Sequence, residues 1–149
     1  MKIDSLNWAI LKELQENARR PLTEISKRVG ISSPTVSERI QKLEEAGVIE
    51  GYHAHLNLKA IGYSLCVYIS IKIRFGQVER FEDYIQTVPE VCECLKLTGN
   101  DCMLMKAFVK DTEHLEALNR RLSEYGELTT SLLLSKVVDR KVFIEDHLS

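Results

Sequence analysis

Four hydroxyl residues, Ser32, Ser33, Thr35 and Ser37, crowd six positions around Pro34, and the cations Arg39 and Lys42 follow closely. Short hydroxyls at a helix start donate to phosphate oxygens or base edges and let a large partner approach, while arginine has the donor geometry for guanine or phosphate. A second cluster, Thr98, Gly99, Asn100, Asp101 and Cys102, suits a tight turn. Its glycine and asparagine are equally explained by hairpin chemistry and by a backbone loop that admits a small ligand. Cys66, Cys92, Cys94 and Cys102 match no zinc spacing and read as reduced, buried apolar residues. His53, His55, His114 and His147 are scattered; His53 and His55 share a strand face, with no third ligand near them. No triad, phosphate loop or catalytically spaced carboxylate pair occurs, so neither a catalytic residue nor a metal or cofactor is expected.

The first cluster needs an abrupt turn between two helices. Gly30 can take the positive φ that ends one helix, Ser32 or Ser33 can cap the next, and Pro34 fits its first turn. That helix ends near Gly47. Its spacing buries Val36, Ile40 and Leu43 and turns Pro34, Thr35, Glu38, Gln41 and Lys42 outward, with Ser37 and Arg39 on the flanks. An earlier helix starts after Asp4 with Leu6, Ile10, Leu11 and Leu14 on one face, and another spans about Pro21 to Val29, burying Leu22, Ile25 and Val29. The three make a helix-turn-helix unit whose outward face suits the major groove of double-stranded DNA.

After Gly47, residues 48–58 read as extended chain, a short wing or linker strand. The periodicity then becomes that of strands. Residues 65–73 alternate strictly, 78–88 read as a helix over Val78, Phe81, Ile85 and Val88, and 91–109 read as two strands around the turn at 98–101. A helix follows over 111–125, capped by Asp111 or Thr112, and a last strand over 129–138. The second half is therefore β-α-β-β-α-β with both helices on one face, leaving a partly apolar sheet face for a second copy in a two-fold dimer.

A chain of 149 residues with 44% hydrophobic content can bury a core, and no apolar run approaches the roughly 20 residues of a membrane span. The start lacks a signal-peptide pattern, so a soluble, cytoplasmic protein is expected. The net charge of −2 conceals six positive residues against two negative between Arg19 and Lys42, an excess suited to phosphate contacts.

RVGISSPTVSERIQKLEEAGVIEGY, a linker ending in Gly62, and a βαββαβ half with TGND at its hairpin together resemble the Lrp/AsnC, or feast/famine, transcription regulators over nearly the whole chain. The resemblance implies an α+β chain: a winged helix-turn-helix over residues 1–50, a linker strand over 51–62, and a ferredoxin-like effector-binding and oligomerisation domain over 63–149. It implies DNA contacts from Ser33, Pro34, Thr35, Ser37, Glu38, Arg39 and Lys42, and dimers that can assemble into octamers. An amino acid effector would lie near Thr98, Gly99, Asn100, Asp101 and Cys102, with Thr130 matching a hydroxyl position near the ligand. The family hairpin commonly carries an aspartate where this chain has Cys102, with Asp101 one place earlier, which in a strand is the opposite face. Two other readings stay open: an effector-independent architectural DNA-binding protein of the same family, and a siroheme decarboxylase-like enzyme. The enzyme would need basic residues around a large cavity, whereas the chain from residue 63 holds 11 positive against 14 negative residues.

Overall fold

The computed structural model describes residues 3–99 and 103–145, so Asn100, Asp101 and Cys102 lie outside the described residues. The chain forms two compact units, one built from residues up to His55 and again from Val138 onward, the other spanning Leu56–Val137.

In the first unit α1 (Ser5–Glu16) is capped by Asp4, whose side chain accepts from the Asn7 N–H at 2.8 Å. Pro21 precedes α2 (Leu22–Val29), and Gly30, at φ 78°, supplies the left-handed residue that closes it. Ser32 caps α3 (Ser33–Glu45) by accepting from the Thr35 N–H. Ile10, Ile25 and Val36, one from each helix, form the centre of the core. Leu22, expected inside, is instead 40% exposed at the first position of α2, outside the buried cluster of the three helices.

The segment after α3 forms no strand among the described residues; 48–57 is irregular, and a 3₁₀ turn follows at Leu58–Ile61. His53 and His55 therefore share no strand face. Tyr52 fastens the segment by donating to Glu44 Oε1 at 2.9 Å, and partial burial together with that carboxylate pushes its phenol up to about 12.

In the second unit β1 (Leu65–Ile73), β2 (Val91–Lys96), β3 (Met103–Val109) and β4 (Gly126–Leu132) form an antiparallel sheet in the order β2-β3-β1-β4. Val67, Ile69 and Ile71 of β1 and Met103, Met105 and Ala107 of β3 point to one face, where Phe81 and Ile85 of α4 (Val78–Ile85) and Leu118 and Leu122 of α5 (Thr112–Leu122) cover them. The opposite face carries Tyr68, Leu104 and Phe108, outside that core and half-buried.

Three boundaries differ from the sequence reading. α4 stops at Ile85, because the Thr87 hydroxyl takes the Tyr84 carbonyl at 2.7 Å and Pro89 disfavours helix at Val88, which is still buried in the following turn. α5 stops at Leu122, where Ser123 donates back to the Arg120 carbonyl and Arg74 holds the carbonyls of Ser123 and Glu124. β4 runs 126–132 rather than 129–138, since its partner β1 supplies pairing only from Ile73 back to Val67, followed by one bond from the Leu133 N–H to the Cys66 carbonyl. The cysteines are also less buried than expected: Cys66 and Cys94 are half-buried and Cys92 is exposed at a bulge in β2. Partial burial pushes all three thiols up, which keeps them protonated and poorly nucleophilic.

Glu90 joins the start of β2 to α5. Its carboxylate accepts from His114 Nε2 at 2.9 Å and from Arg121, and its Oε2 is buried with no partner among the described residues. Because His114 Nδ1 accepts the Lys110 N–H, the imidazole proton belongs on Nε2, facing Glu90. Burial raises the Glu90 carboxyl, but the bonds from His114, its own backbone and Arg121 outweigh it and leave the group below its usual range. A depressed carboxylate stabilises the fold above its unfolded-state pKa, and that contribution disappears as pH falls through the folded-state pKa. Glu90→Gln should cost about 1–3 kcal/mol at pH 7 by removing the charge that accepts from His114 and Arg121. The gap from wild type should narrow as pH falls below about 4.3, the ordinary glutamate range. Urea unfolding at pH 7 and pH 3.5 checks both; a gap independent of pH would exclude the carboxylate as the cause.

Candidate functional site

The exposed start of α3 gathers most of the sequence-predicted contact residues. Pro34, Thr35, Ser37, Glu38 and Lys42 are all exposed. The turn is braced from inside: Ser33 Oγ donates to Ser26 Oγ at 3.1 Å, tying α3 to α2, and the Ser32 and Thr35 hydroxyls meet at 2.7 Å. Ser33 is thus turned back toward α2, away from the outward face.

Arg39 is tied to the first helix. Its Nη1 is shared among Asp4 Oδ1 at 3.0 Å, Asp4 Oδ2 at 2.8 Å and Asn7 Oδ1 at 2.9 Å. Asn7 is 6% exposed, a buried polar residue in an otherwise apolar set. The sequence reading missed this clamp, although Asn7 stands three residues before Ile10 on the apolar stripe, where a polar side chain must find a partner. The bond from the Asn7 backbone, followed by the Arg39 guanidinium, holds the Asp4 carboxyl below its usual range.

The local positive excess is smaller in space than along the chain. Arg20 pairs with Glu13, Glu16 and Glu24, and Arg28 with Glu13 and Glu24. Lys42 meets Glu38 at 2.6 Å, and this hydrogen bond holds the Glu38 carboxyl below its usual range. Asp4, Glu13 and Glu16, carried in by α1, supply the missing negative charge, and of the six cations only Arg19 and Lys27 lack an ion pair among the described residues. A shallow depression of about 260 Å³ between α1 and α3 is lined by Asn7, Thr35, Glu38, Arg39 and Lys42.

In the second unit the hairpin leads to Thr98 and Gly99, the latter at φ 120°, a conformation that only glycine adopts readily. Thr130 is on β4, and its hydroxyl donates to Asn119 Oδ1 of α5 at 3.1 Å. The hairpin joins β2 and β3, and β1 stands between β3 and β4, so Thr130 and the hairpin strands are about 10–14 Å apart across the sheet at ordinary strand spacing. Thr130 instead borders an open groove of about 700 Å³ with Arg74, Asn119, Arg120 and Glu127. Among the described residues no three His, Cys, Asp or Glu side chains converge on a point that could hold a metal ion. No described helix is long and apolar enough to cross a membrane.

Comparison with known proteins bears on both units. Residues 3–50 match a family described as winged helix-turn-helix DNA-binding, and residues 66–143 match the Lrp/AsnC ligand binding domain. The HTH-type transcriptional regulator LrpC of Bacillus subtilis is 28% identical over 92% of this chain and 95% of its own length. The leucine-responsive regulatory protein of Haemophilus influenzae is 33% identical over 95% of this chain and 82% of its own. The solved structure of B. subtilis LrpC superposes with a TM-score of 0.87 over 95% of this chain and all of that one. The transcriptional regulator NMB0573 of Neisseria meningitidis, solved as a complex with L-Met, is 30% identical with a TM-score of 0.87, covering 99% of this chain and 100% of that one.

Proposed function

The chain belongs to the Lrp/AsnC family of transcriptional regulators, and from that premise we propose that it reads an operator with the exposed start of α3 and responds to an amino acid. The observation that carries the reading is the presentation of Pro34, Thr35 and Ser37 on the outward face of a helix whose N-terminus is capped by Ser32 and braced by Ser33. Short side chains there allow close approach to the major groove, Glu38 and Lys42 can separate to meet base and phosphate, and Arg39 holds the helix in place or reaches the DNA from its flank. The domain division expected from the sequence, residues 1–50 for DNA, 51–62 as linker and 63–149 for effector and assembly, is kept except that the segment from Val138 packs with the first unit. The sheet face carrying Tyr68, Leu104 and Phe108 suits a two-fold dimer, which can assemble further to an octamer. The setting is the cytoplasm, with no catalytic role; the relatives named above are transcriptional regulators, which lends the siroheme decarboxylase-like reading no support.

The effector site is centred on Thr98, Gly99, Asn100, Asp101 and Cys102. Because Thr130 is bonded to Asn119 and is distant from the hairpin strand within one subunit, it serves that site only across a contact between subunits. The same observation favours a second reading, an architectural DNA-binding protein without an effector. Footprinting on the DNA upstream of its own gene should protect two half-sites about 34–36 Å apart, as expected for a dimer with two recognition helices. Calorimetry with the twenty amino acids, L-methionine first because a relative was solved with it, should show binding at millimolar concentration or tighter. Protection without any amino acid binding would replace the effector reading by the architectural one, and absence of protection would sink the DNA reading.

A further inference from the structure

On the first unit, α1 and residues 48–53 border a groove of about 540 Å³ lined by Trp8, Leu11, Leu14, Ala18, Tyr52 and Phe143. All but one of these come from the start of the chain; Phe143 comes from its far end. It is held there through its backbone. The Phe143 N–H donates to Gln15 Oε1 at 2.9 Å and its carbonyl accepts from Gln15 Nε2 at 2.9 Å. A side-chain amide has the same donor and acceptor as a peptide group, so Gln15 grips one residue of extended chain as a neighbouring strand would. The backbone is thereby held against the polar edge of α1 while an aromatic side chain lies over an apolar groove, a combination used to capture extended peptides.

We propose that this groove is the docking site of the chain's own C-terminal segment, seated in cis around Phe143, and that the segment is a second anchor for the DNA-binding unit. The first connection between the units is at His55–Leu56; the second leaves β4 at Leu132 and re-enters the DNA-binding unit at Val138. The helix it grips is the one whose opposite end carries Asp4 and Asn7, the residues that hold Arg39 of α3. Seating Phe143 therefore steadies the element against which the recognition helix is set.

The placement is tested on the full chain carrying p-benzoylphenylalanine at position 143, for which there is room because Phe143 is 64% exposed. After irradiation, adducts should map to residues 8–18 or 48–53 in the band of monomer mass. Adducts confined to residues 56–137, or none at all, overturn the placement; the same adducts in a band of dimer mass overturn seating in cis and show exchange between copies. Gln15→Leu removes both backbone bonds and should weaken operator binding several-fold with no change in the salt dependence, because every cation that meets a phosphate is still present. Operator binding equal to wild type would overturn the anchoring role. The functional half rests on the DNA-binding reading, and the two fail separately: a wild-type chain that binds no DNA sinks that reading and leaves the cross-linking result standing.

Discussion

A Gly126→Ala chain should lose at least about 3 kcal/mol of stability in its ligand-binding unit, more than a typical surface or loop substitution costs. A Cβ at this position would fall 2.2 Å from the Lys72 carbonyl oxygen, 2.9 Å from its carbon and 3.0 Å from Ile73 Cα. These are backbone atoms of β1, the strand that Gly126 pairs with at Ile73, so no side chain can swing aside. Relief requires β4 to leave β1 at its first residue. That movement also pulls on Tyr125, which is buried, stacks on Tyr84 at 5.0 Å and gives its carbonyl to the Arg74 N–H. Gly99→Ala is the control: its Cβ would meet nothing within 4 Å, so only the strain of the positive φ is added, about 1–2 kcal/mol. Urea unfolding followed by far-ultraviolet circular dichroism measures both. The single tryptophan, Trp8, belongs to the other unit, and its fluorescence shows whether that unit melts with the first. Equal midpoints for the two variants would remove the backbone clash as an explanation.

Arg39→Ala should weaken operator binding by about tenfold to a hundredfold, within the range expected of a single interface arginine. Two causes give different signatures. If Arg39 acts by holding α3 on Asp4 and Asn7, its removal leaves the buried Asn7 carbonyl without its donor, at about 1–2 kcal/mol of stability. Affinity then falls at unchanged salt dependence. If it meets a phosphate, the logarithmic salt slope shrinks by about 0.9 for each phosphate left unneutralised. If it reads a base, the effect is confined to one operator position. The three bonds of Nη1 favour the first. Binding titrations at several salt concentrations, beside urea unfolding of the same variant, separate the cases; no change in either would remove Arg39 from both roles.

What could be read from the sequence follows from how far each signal reaches. Asp4, Gly30, Ser32 and Gly47 mark helix ends because a cap acts within three or four residues, and the structure puts the ends of α1, α2 and α3 at these marks. β1 is legible because its alternation is complete over nine residues. β4 is not, because its first residues, Gly126 and Glu127, carry no apolar signal, while the apolar run after Leu132 has no strand left to pair with. Extent there is set by the partner strand. The charge around α3 misleads for a related reason: Glu13 and Glu16 lie before the basic stretch yet fold back on Arg20, and Glu13 reaches Arg28 only once α1 is laid beside α2. The Arg39 clamp spans 35 positions and the Gln15–Phe143 pairing 128; Asn7 on its apolar stripe hints that a partner exists for the first, but nothing local names Arg39 or announces the second.

That last span has a meaning during synthesis. A ribosome adds about 5–20 residues per second, so roughly 6–26 s separate the translation of Gln15 from that of Phe143. The three helices can fold early around Ile10, Ile25 and Val36, yet the groove over Trp8, Leu11 and Leu14 waits that long for Phe143. A nascent chain, or one cut short by a premature stop before residue 138, carries every residue of the α3 face together with an uncovered apolar groove. Such a fragment exposes apolar surface that Phe143 borders in the longer chain, and apolar surface left open on a folded unit invites association.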